Sequence, residues 1–294
     1  MEQDAASEHA QFKAQQTKHW NDVAGGWAAR ADWTERNFAP LTAWLRSTGC
    51  WRAGSRVLDV ACGSGYPTIA AALAVGPAGH VVAADISLEM IAAAASRARA
   101  MGLVNIEFVE QDSEDLRFDA DSFDAVSDTY GLMFCSDLDR AVGEMRRVLR
   151  PGGRAAIVVW DEPQRNPYFE LIFAAAAPLL GLAPPSAGAP GPFRLASSET
   201  MIALLHAANF SDVGVERLPM TFECESVDDY IQMFSDFAFK SRMARLTSAD
   251  RARLRAAVAD LARPYVDNRG RVRLMTTSLC AIGRRPSGVM SVDG

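Results

Sequence analysis

From residue 54 to residue 160, short apolar runs alternate with longer stretches whose apolar residues recur every three or four positions. The runs RVLDV (56–60), HVVAAD (80–85), IEFVE (106–110), FDAVSD (123–128) and RAAIVVW (154–160) are candidate strands. Several are almost continuously apolar, the pattern of strands covered on both faces. Between them lie helices. One opens at Ser87, a good N-cap, carries Ile91, Ala94, Ala95 and Ala98 on its apolar face, and stops at Gly102. Another runs from Asp137 through Ala141, Met145, Val148 and Leu149 to the Pro-Gly-Gly at 151–153. Strands and helices alternating at this length predict a doubly wound, mainly parallel α/β sheet.

The flanks break this rhythm. Residues 1–48 read as a helical, aromatic segment with Trp20, Trp27, Trp33, Phe38 and Trp44, expected to act as a lid on the 49–160 core. Gly25 and Gly26 lower helix propensity directly before Trp27, so a hinge is expected there. Residues 161–196, rich in Pro, Gly and Ala, read as a cap excursion. Residues 197–285 complete the core with strands at 213–223 and 272–285. Between those strands, 226–264 reads as two helices, with capping patterns at Ser226/Asp229 and Thr247/Asp250 and a stop at Pro264. Residues 286–294 read as a loose tail.

Composition narrows the function classes. A net charge of −6 and a pI near 5.3 disfavour nucleic acid and anionic membrane surfaces as partners. No run approaches the roughly eighteen apolar residues of a membrane span, and the polar first residues are no secretory signal. The five cysteines, Cys50, Cys62, Cys135, Cys224 and Cys280, are isolated and odd in number. They read as buried thiols in a reducing cytoplasm. The four histidines lack ligand neighbours at helical spacing, so no metal site is expected.

The chemistry concentrates at VLDVACGSG (57–65). A loop leaving the first strand of an open α/β sheet lies where ligands bind. Gly63 and Gly65 let backbone approach a ligand closely. Asp59 precedes the loop, and Asp85 ends the next strand twenty residues beyond Gly65, where a carboxylate can accept both hydroxyls of a ribose. Asp112 follows the third strand and is placed to accept an exocyclic amine such as adenine N6. A nucleoside held by acids rather than by phosphate-binding groups is the expectation.

VLDVACGSG, VVAADIS, EQDSEDLRF and the stretch FDAVSDTYGLMFCSDLDRAVGEMRRVLRPGG resemble the successive motifs of class I S-adenosylmethionine-dependent methyltransferases. The W-x-x-V-A-x-x-W element at 20–27 and the V-W-x-x-P-x-x-N-P stretch at 159–167 narrow the resemblance to the UbiE-like small-molecule branch. It covers residues 16–285. It implies seven strands in the order 3-2-1-4-5-7-6, the seventh antiparallel, and S-adenosylmethionine as cofactor with S-adenosylhomocysteine as product. It implies a cofactor site of Trp27, Asp59, Ala61, Gly63, Gly65, Asp85, Ile86, Met90, Asp112, Ser113, Asp128 and Thr129. Ala61 stands where many members have Gly, and Thr129 where similar sequences often carry a basic residue.

A positioned base is needed only if the acceptor must lose a proton, and His19, Tyr130 and Asp161 are the candidates. Trp20, Tyr130, Met133, Trp160, Asn166, Tyr168, Phe193 and Phe237 are expected to line an acceptor pocket. The aromatic roof favours O- or C-methylation of a small aromatic or apolar metabolite. N-methylation and cofactor binding without turnover stay open, as does a homodimer. A nicotinamide oxidoreductase is disfavoured, because its third glycine would fall at Thr68.

Overall fold

The computed structural model describes residues 2–182, 186 and 188–287. Three helices come first: α1 (Glu2–Ala29), α2 (Ala31–Asn37) and α3 (Ala39–Ser47). Strand and helix then alternate as β1 (Arg56–Val60), α4 (Thr68–Val75), β2 (His80–Asp85), α5 (Leu88–Ala100), β3 (Ile106–Glu110), β4 (Phe123–Thr129), α6 (Leu138–Val148) and β5 (Leu149–Trp160). After these come α7 (Pro167–Leu180), α8 (Ser198–Ala207), β6 (Ser211–Cys224), α9 (Val227–Phe234), α10 (Lys240–Met243), α11 (Ser248–Ala262) and β7 (Val272–Arg284). The strands form one sheet in the order β3-β2-β1-β4-β5-β7-β6. β1 to β5 run parallel, and β7 lies antiparallel between β5 and β6. Strand number, order and direction are those expected.

Helix starts follow side-chain chemistry. Ser87, Ser226 and Thr247 each accept a backbone N–H three residues on, at 3.1 Å, and Asp137 does the same for Arg140 at 3.0 Å. The largest differences from expectation are at β5, the excursion and the 226–264 segment. β5 begins at Leu149 rather than Arg154, because a register shift opposite Phe123 and Ala125 absorbs the Pro-Gly-Gly turn. The 161–196 excursion contains a 14-residue helix, α7, with Pro167 in its first turn, Pro178 in its last and a left-handed Gly181 closing it. The 226–264 segment is more than two helices: α9 runs through a π-helical stretch, Ser235–Phe239, into α10 before α11 begins. Residues 183–185 and 187 of the excursion and 288–294 of the expected tail lie outside the described residues.

The lid boundary also moves. Trp33, Phe38, Leu41 and Leu45 of the α2–α3 stretch are buried in the main core. In α1, Val23 and Ala24 form a small separate cluster with Met90 of α5, while Trp27 also packs against the main core. Its paired glycines are no break: α1 is continuous through Gly25 and Gly26. A Cβ at Gly26 would lie 2.2 Å from the Asp236 carbonyl oxygen, whereas one at Gly25 would meet nothing within 4 Å. Gly26 therefore lets α1 seat against the π-helical stretch. Arg30, just beyond α1, reinforces that seat by pairing with Asp229 (2.6 Å) and Asp236 (3.2 Å). Among the described residues no helix is long and apolar enough to cross a membrane.

The two glycines should thus respond oppositely to alanine. Gly25→Ala should raise unfolding stability by up to about 1 kcal/mol through helix propensity. Gly26→Ala should lower it by about 1–3 kcal/mol through overpacking. Urea titrations of both variants measure this, and equal effects would contradict the close contact at Gly26.

Candidate functional site

The loop after β1 is built on left-handed backbone: Ala61 has φ +54°, Gly63 +53° and Gly65 +100°. A Cβ on Gly65 would lie 3.3 Å from Ala94 of α5, so Gly65 keeps the loop against that helix. A Cβ on Gly63 would meet nothing, so this glycine borders open space. Gly131, after β4, was not singled out by its sequence context, yet a Cβ there would come 2.3 Å from the Ala61 Cβ and 2.7 Å from Asp128 Oδ2. The β1 and β4 loops touch through these two small residues.

Three carboxylates end neighbouring strands beneath this loop. Asp59 is fully buried; Thr68 donates to its Oδ2 (2.5 Å) and Ser127 to its Oδ1 (2.8 Å). Asp85 accepts the N–H groups of Gly63 (2.8 Å) and Ser87 (2.9 Å), clamping the glycine loop to the start of α5. Asp128 accepts the N–H groups of Gly131 (3.1 Å) and Leu132 (2.9 Å) on Oδ1, while its buried Oδ2 has no partner. The neighbouring Thr129 Oγ1 is likewise buried and unpartnered. Burial pushes all three acids up, Asp59 to about 6 and Asp128 to about 7, and their charges reinforce one another.

Helix α1 roofs this edge of the sheet. Lys13 meets Asp112 (2.5 Å) and Glu114 (2.8 Å) beyond β3. His9 reaches Glu114 at 2.9 Å. Burial pulls the Lys13 ammonium down, but its two carboxylate partners outweigh this and hold it above the usual lysine value. Ser87 donates to Asn21 Oδ1 (2.6 Å) beyond β2, and Trp20 meets Phe134 edge-on beyond β4, ring centres 5.1 Å apart. Trp27 stacks on Phe237 at 4.1 Å and donates to the Phe237 carbonyl at 3.1 Å. Lys13, Glu114 and His9 carried no sequence signal, because their meaning depends on α1 crossing the strand ends.

Residues 42–181 match the ubiE/COQ5 methyltransferase family. An uncharacterized protein of Mycobacterium bovis, Mb1438c, is 34% identical over 247 residues, which are 82% of this chain and 85% of that protein. The ubiquinone/menaquinone biosynthesis C-methyltransferase UbiE of Hahella chejuensis is 42% identical over 135 residues, 44% of this chain. That match spans about half, 54%, of the length of the enzyme. Among solved structures, YcgJ of Bacillus subtilis superposes with a TM-score of 0.56 at 20% identity, over 84% of this chain and 98% of that one. The chain belongs to the UbiE-like S-adenosylmethionine-dependent methyltransferases. A Haemonchus contortus phosphoethanolamine N-methyltransferase, solved with S-adenosyl-L-methionine, shares the fold with a TM-score of 0.57 at 18% identity, over 90% of this chain and 57% of its own.

The cofactor of this family carries a sulfonium and an ammonium, and the site has the chemistry to receive cations. Its acids have no Lys or Arg partner at Asp59, Asp85 or Asp128 among the described residues, and one carboxylate oxygen is orphaned. Of the expected cofactor residues, Ala61, Gly63, Asp85 and Asp128 converge here. Met90 lies under α1, Ile86 sits between the Asp85 clamp and the Ser87 cap, and Ser113 follows Asp112. Three roles change. Asp59 has both oxygens on Thr68 and Ser127, so it braces the loop from below. Gly65 packs on α5 rather than opening to the cleft. Asp112 gains a second task, anchoring α1: one oxygen binds Lys13 and the other the Glu114 N–H (2.9 Å), each keeping a lone pair. Trp27 joins the Phe237 stack at the rim.

The acid–base and acceptor candidates divide more sharply. Asp161 is fully buried and ion-paired to Arg217 (2.8 Å), and it also accepts the Glu162 N–H. A carboxylate so paired is no free base. Asn166 is a closed structural hub: it donates to the Asp161 and Glu162 carbonyls and accepts from Thr276 and the Thr277 N–H, leaving nothing for a substrate. Tyr130 shares its hydroxyl hydrogen with Ser278 at 2.7 Å and stacks on Trp160 at 4.1 Å. His19 lies half-buried beside Trp20; desolvation first, with Arg242 adding, pulls its imidazole down. Trp160, Tyr168 and Phe237 join one aromatic cluster with Trp33, Phe38 and Phe222. Phe193 meets this cluster through Phe169, and Met133 is buried beneath it in the same core. Tyr168 Oη is buried and unpartnered. Among the described residues no group of three or more His, Cys, Asp or Glu is arranged to hold a metal ion.

Gly131→Ala should force apart the β1 and β4 loops. The expected cost is about 1–3 kcal/mol of stability together with a loss of S-adenosylhomocysteine binding. Gly143→Ala, on α6 with nothing within 4 Å, is the control and should leave binding unchanged. Calorimetry checks both; wild-type affinity in Gly131→Ala would show that the Ala61 contact is dispensable.

Proposed function

We infer that the chain transfers a methyl group from S-adenosylmethionine to a small aromatic or apolar metabolite, at an oxygen or an electron-rich ring carbon. Family membership supports the reaction class. The observation that carries the reading is the set of three buried acids at the glycine loop with no cationic partner among the described residues. The cofactor supplies an activated methyl group on a positive sulfur.

The chain's residues then hold, orient and exclude water. Asp85 faces the loop with lone pairs left over after its two N–H bonds, where ribose hydroxyls would donate. Asp128 Oδ2, beside Ala61, is the free acceptor for an ammonium. Trp20 and Trp27 close the edge with aromatic faces, which favour a nearby cation. Alignment of the kind such a closed site provides contributes about 7–11 kcal/mol to a displacement, and removing water adds to it because the charge is dispersed in the transition state.

The acceptor follows from what the pocket lacks. Asp161 is ion-paired, the Tyr130 hydroxyl is engaged by Ser278, and the imidazole of His19 is shifted away from the charged form. An acceptor that is already nucleophilic, such as a phenolate or the ring carbon of an electron-rich phenol, suits this site best. The free thiols fit a reducing, cytoplasmic setting. Helix α1, whose Val23 and Ala24 cluster with Met90 apart from the main core, is the part of the N-terminal segment that would open and close.

Asp85→Ala should weaken S-adenosylhomocysteine binding by about tenfold or more, through under-paired hydroxyls and a loosened Gly63. Unchanged affinity would sink the assignment. Only the carboxylate form of Asp128 pairs with an ammonium, and burial places its titration near pH 7. Wild-type affinity should therefore fall as pH drops from about 7 toward 5, with proton release on binding in that range. In Asp128→Asn the pH dependence should flatten. Mass spectrometry of products from phenols, indoles, quinones and amines tests the acceptor, and transfer only to an aliphatic amine would overturn it.

A further inference from the structure

The end of the sheet away from the glycine loop carries charges that methyl transfer does not use. β5 and β7 run antiparallel, and their register sets Arg154 directly opposite Arg284. Side chains so placed share one face of the sheet, about 5 Å apart at Cβ, and like charges there repel. Neither guanidinium is neutralised at hydrogen-bond distance. Arg154 gives an N–H to the Thr48 carbonyl at the end of α3 (3.1 Å), and no acid pairs with it among the described residues. Arg284 donates to the Gly152 carbonyl (3.3 Å), and the acid it faces, Asp212, stands 3.8 Å away. Each fork therefore keeps donors to spare.

The two arginines share a cavity of about 60 Å³, closed by Thr48 and Cys50 on one side and by Asp212 on the other. A single water needs about 10–15 Å³ of such space, so the cavity has room for a larger group, of the size of a tetrahedral oxyanion. Cys50 senses the field there. Burial raises its thiol, while the Thr48 side chain and then the charges of Arg154 and Arg52 pull it back. Arg52 is thus a third guanidinium within electrostatic reach, and it too has no acid partner among the described residues. On a chain of net charge −6, three arginines meet here over one carboxylate. Guanidinium forks match the oxygens of an oxyanion, and a phosphoryl group offers three strong acceptors.

We propose that Arg154 and Arg284, with Arg52 beside them, form a binding site for a phosphoryl group, either free phosphate or the end of a phosphomonoester. Binding replaces the cross-strand repulsion with charge-assisted hydrogen bonds. Asp212, exposed and on left-handed backbone (φ +50°), is the group that a phosphoryl oxygen displaces from Arg284. The cavity lies where β5 leaves its turn and β7 ends, at the opposite end of the strands from Asp59, Asp85 and Asp128. Phosphate and the methyl donor therefore bind at the same time, and the phosphorylated ligand is an effector or a tether rather than a competitor of the cofactor.

Calorimetry with inorganic phosphate and with methyl phosphate, against chloride at matched ionic strength, tests this. The wild type should bind one equivalent, with or without saturating S-adenosylhomocysteine. Arg154→Gln and Arg284→Gln should each weaken binding by about tenfold, the size of one charge-assisted hydrogen bond. Asp212→Asn should strengthen it. Arg269→Gln, which removes the same charge from the exposed turn before β7, should leave it unchanged. Without phosphate, Arg284→Gln should unfold at or above the wild-type midpoint, because a repulsion is relieved, and added phosphate should raise the midpoint of the wild type alone. Tighter binding of methyl phosphate would support an ester as the ligand, and tighter binding of inorganic phosphate the free ion. No binding of either by the wild type at millimolar concentration would overturn the proposal. So would an equal loss in Arg269→Gln, which would mark general charge attraction, or competition with S-adenosylhomocysteine, which would place the phosphate in the cofactor cleft.

Discussion

Three carboxyl groups held out of water at one edge of the sheet constrain everything around them. Asp59, Asp85 and Asp128 end β1, β2 and β4, which are adjacent and parallel, so their carboxylates converge by topology alone. The fold meets them with hydroxyls and backbone N–H groups, which satisfy hydrogen bonds without cancelling charge. All three acids are consequently held above the usual carboxylate range, burial being the main cause. Such a site favours a cationic ligand and repels an anionic one. That separates it from a dinucleotide site, where a pyrophosphate sits over the first glycine loop.

The same constraint explains the small residues. The loops after β1 and β4 must come close enough for one charge field to cover both. Gly131 makes that approach by leaving room for Ala61, and Gly65 makes the matching approach toward α5. Asp59, beneath them, ties Thr68 at the start of α4 to Ser127 in β4. Its role is mechanical: it fixes the two strands and the helix that set the loop geometry.

Most of the sheet was legible in the chain because strand signals are local. Apolar runs and their spacing located β1 to β4 to within a residue, and capping side chains located α5, α9 and α11. What failed was non-local. Asp161 looked like a free carboxylate because Arg217, its partner, lies on β6, 56 residues on. Asn166 looked like a pocket residue because Thr276 and Thr277 on β7 complete its hydrogen bonds. Gly26 looked like a hinge because Asp236, which needs its missing side chain, is remote in sequence. Helix α7 was hidden by composition: Pro, Gly and Ala read as loop, although its prolines fall only in the first and last turns. The family resemblance pointed to the strand ends where these acids gather, but the pairing partners decide which acids there are free.

The partners also bear on the chemistry. A methyltransferase that deprotonates its acceptor needs a group with an open lone pair and a moderate proton affinity. The residues that suggested themselves in the sequence are each committed elsewhere: to a guanidinium, to a serine hydroxyl on β7, or to the flank of Trp20. Among the described residues, the unpartnered buried polar atoms include instead Asp128 Oδ2 and Thr129 Oγ1, side by side at the end of β4. Both suit the binding of a donor-rich, positively charged cofactor better than the capture of a proton from an apolar acceptor. On the proposed reading, the protein puts its polar groups into holding the methyl donor and leaves the acceptor side to aromatic surface. Rate then comes from alignment and dryness, and selectivity among acceptors from their own nucleophilicity and fit against Trp160, Tyr130 and Phe237.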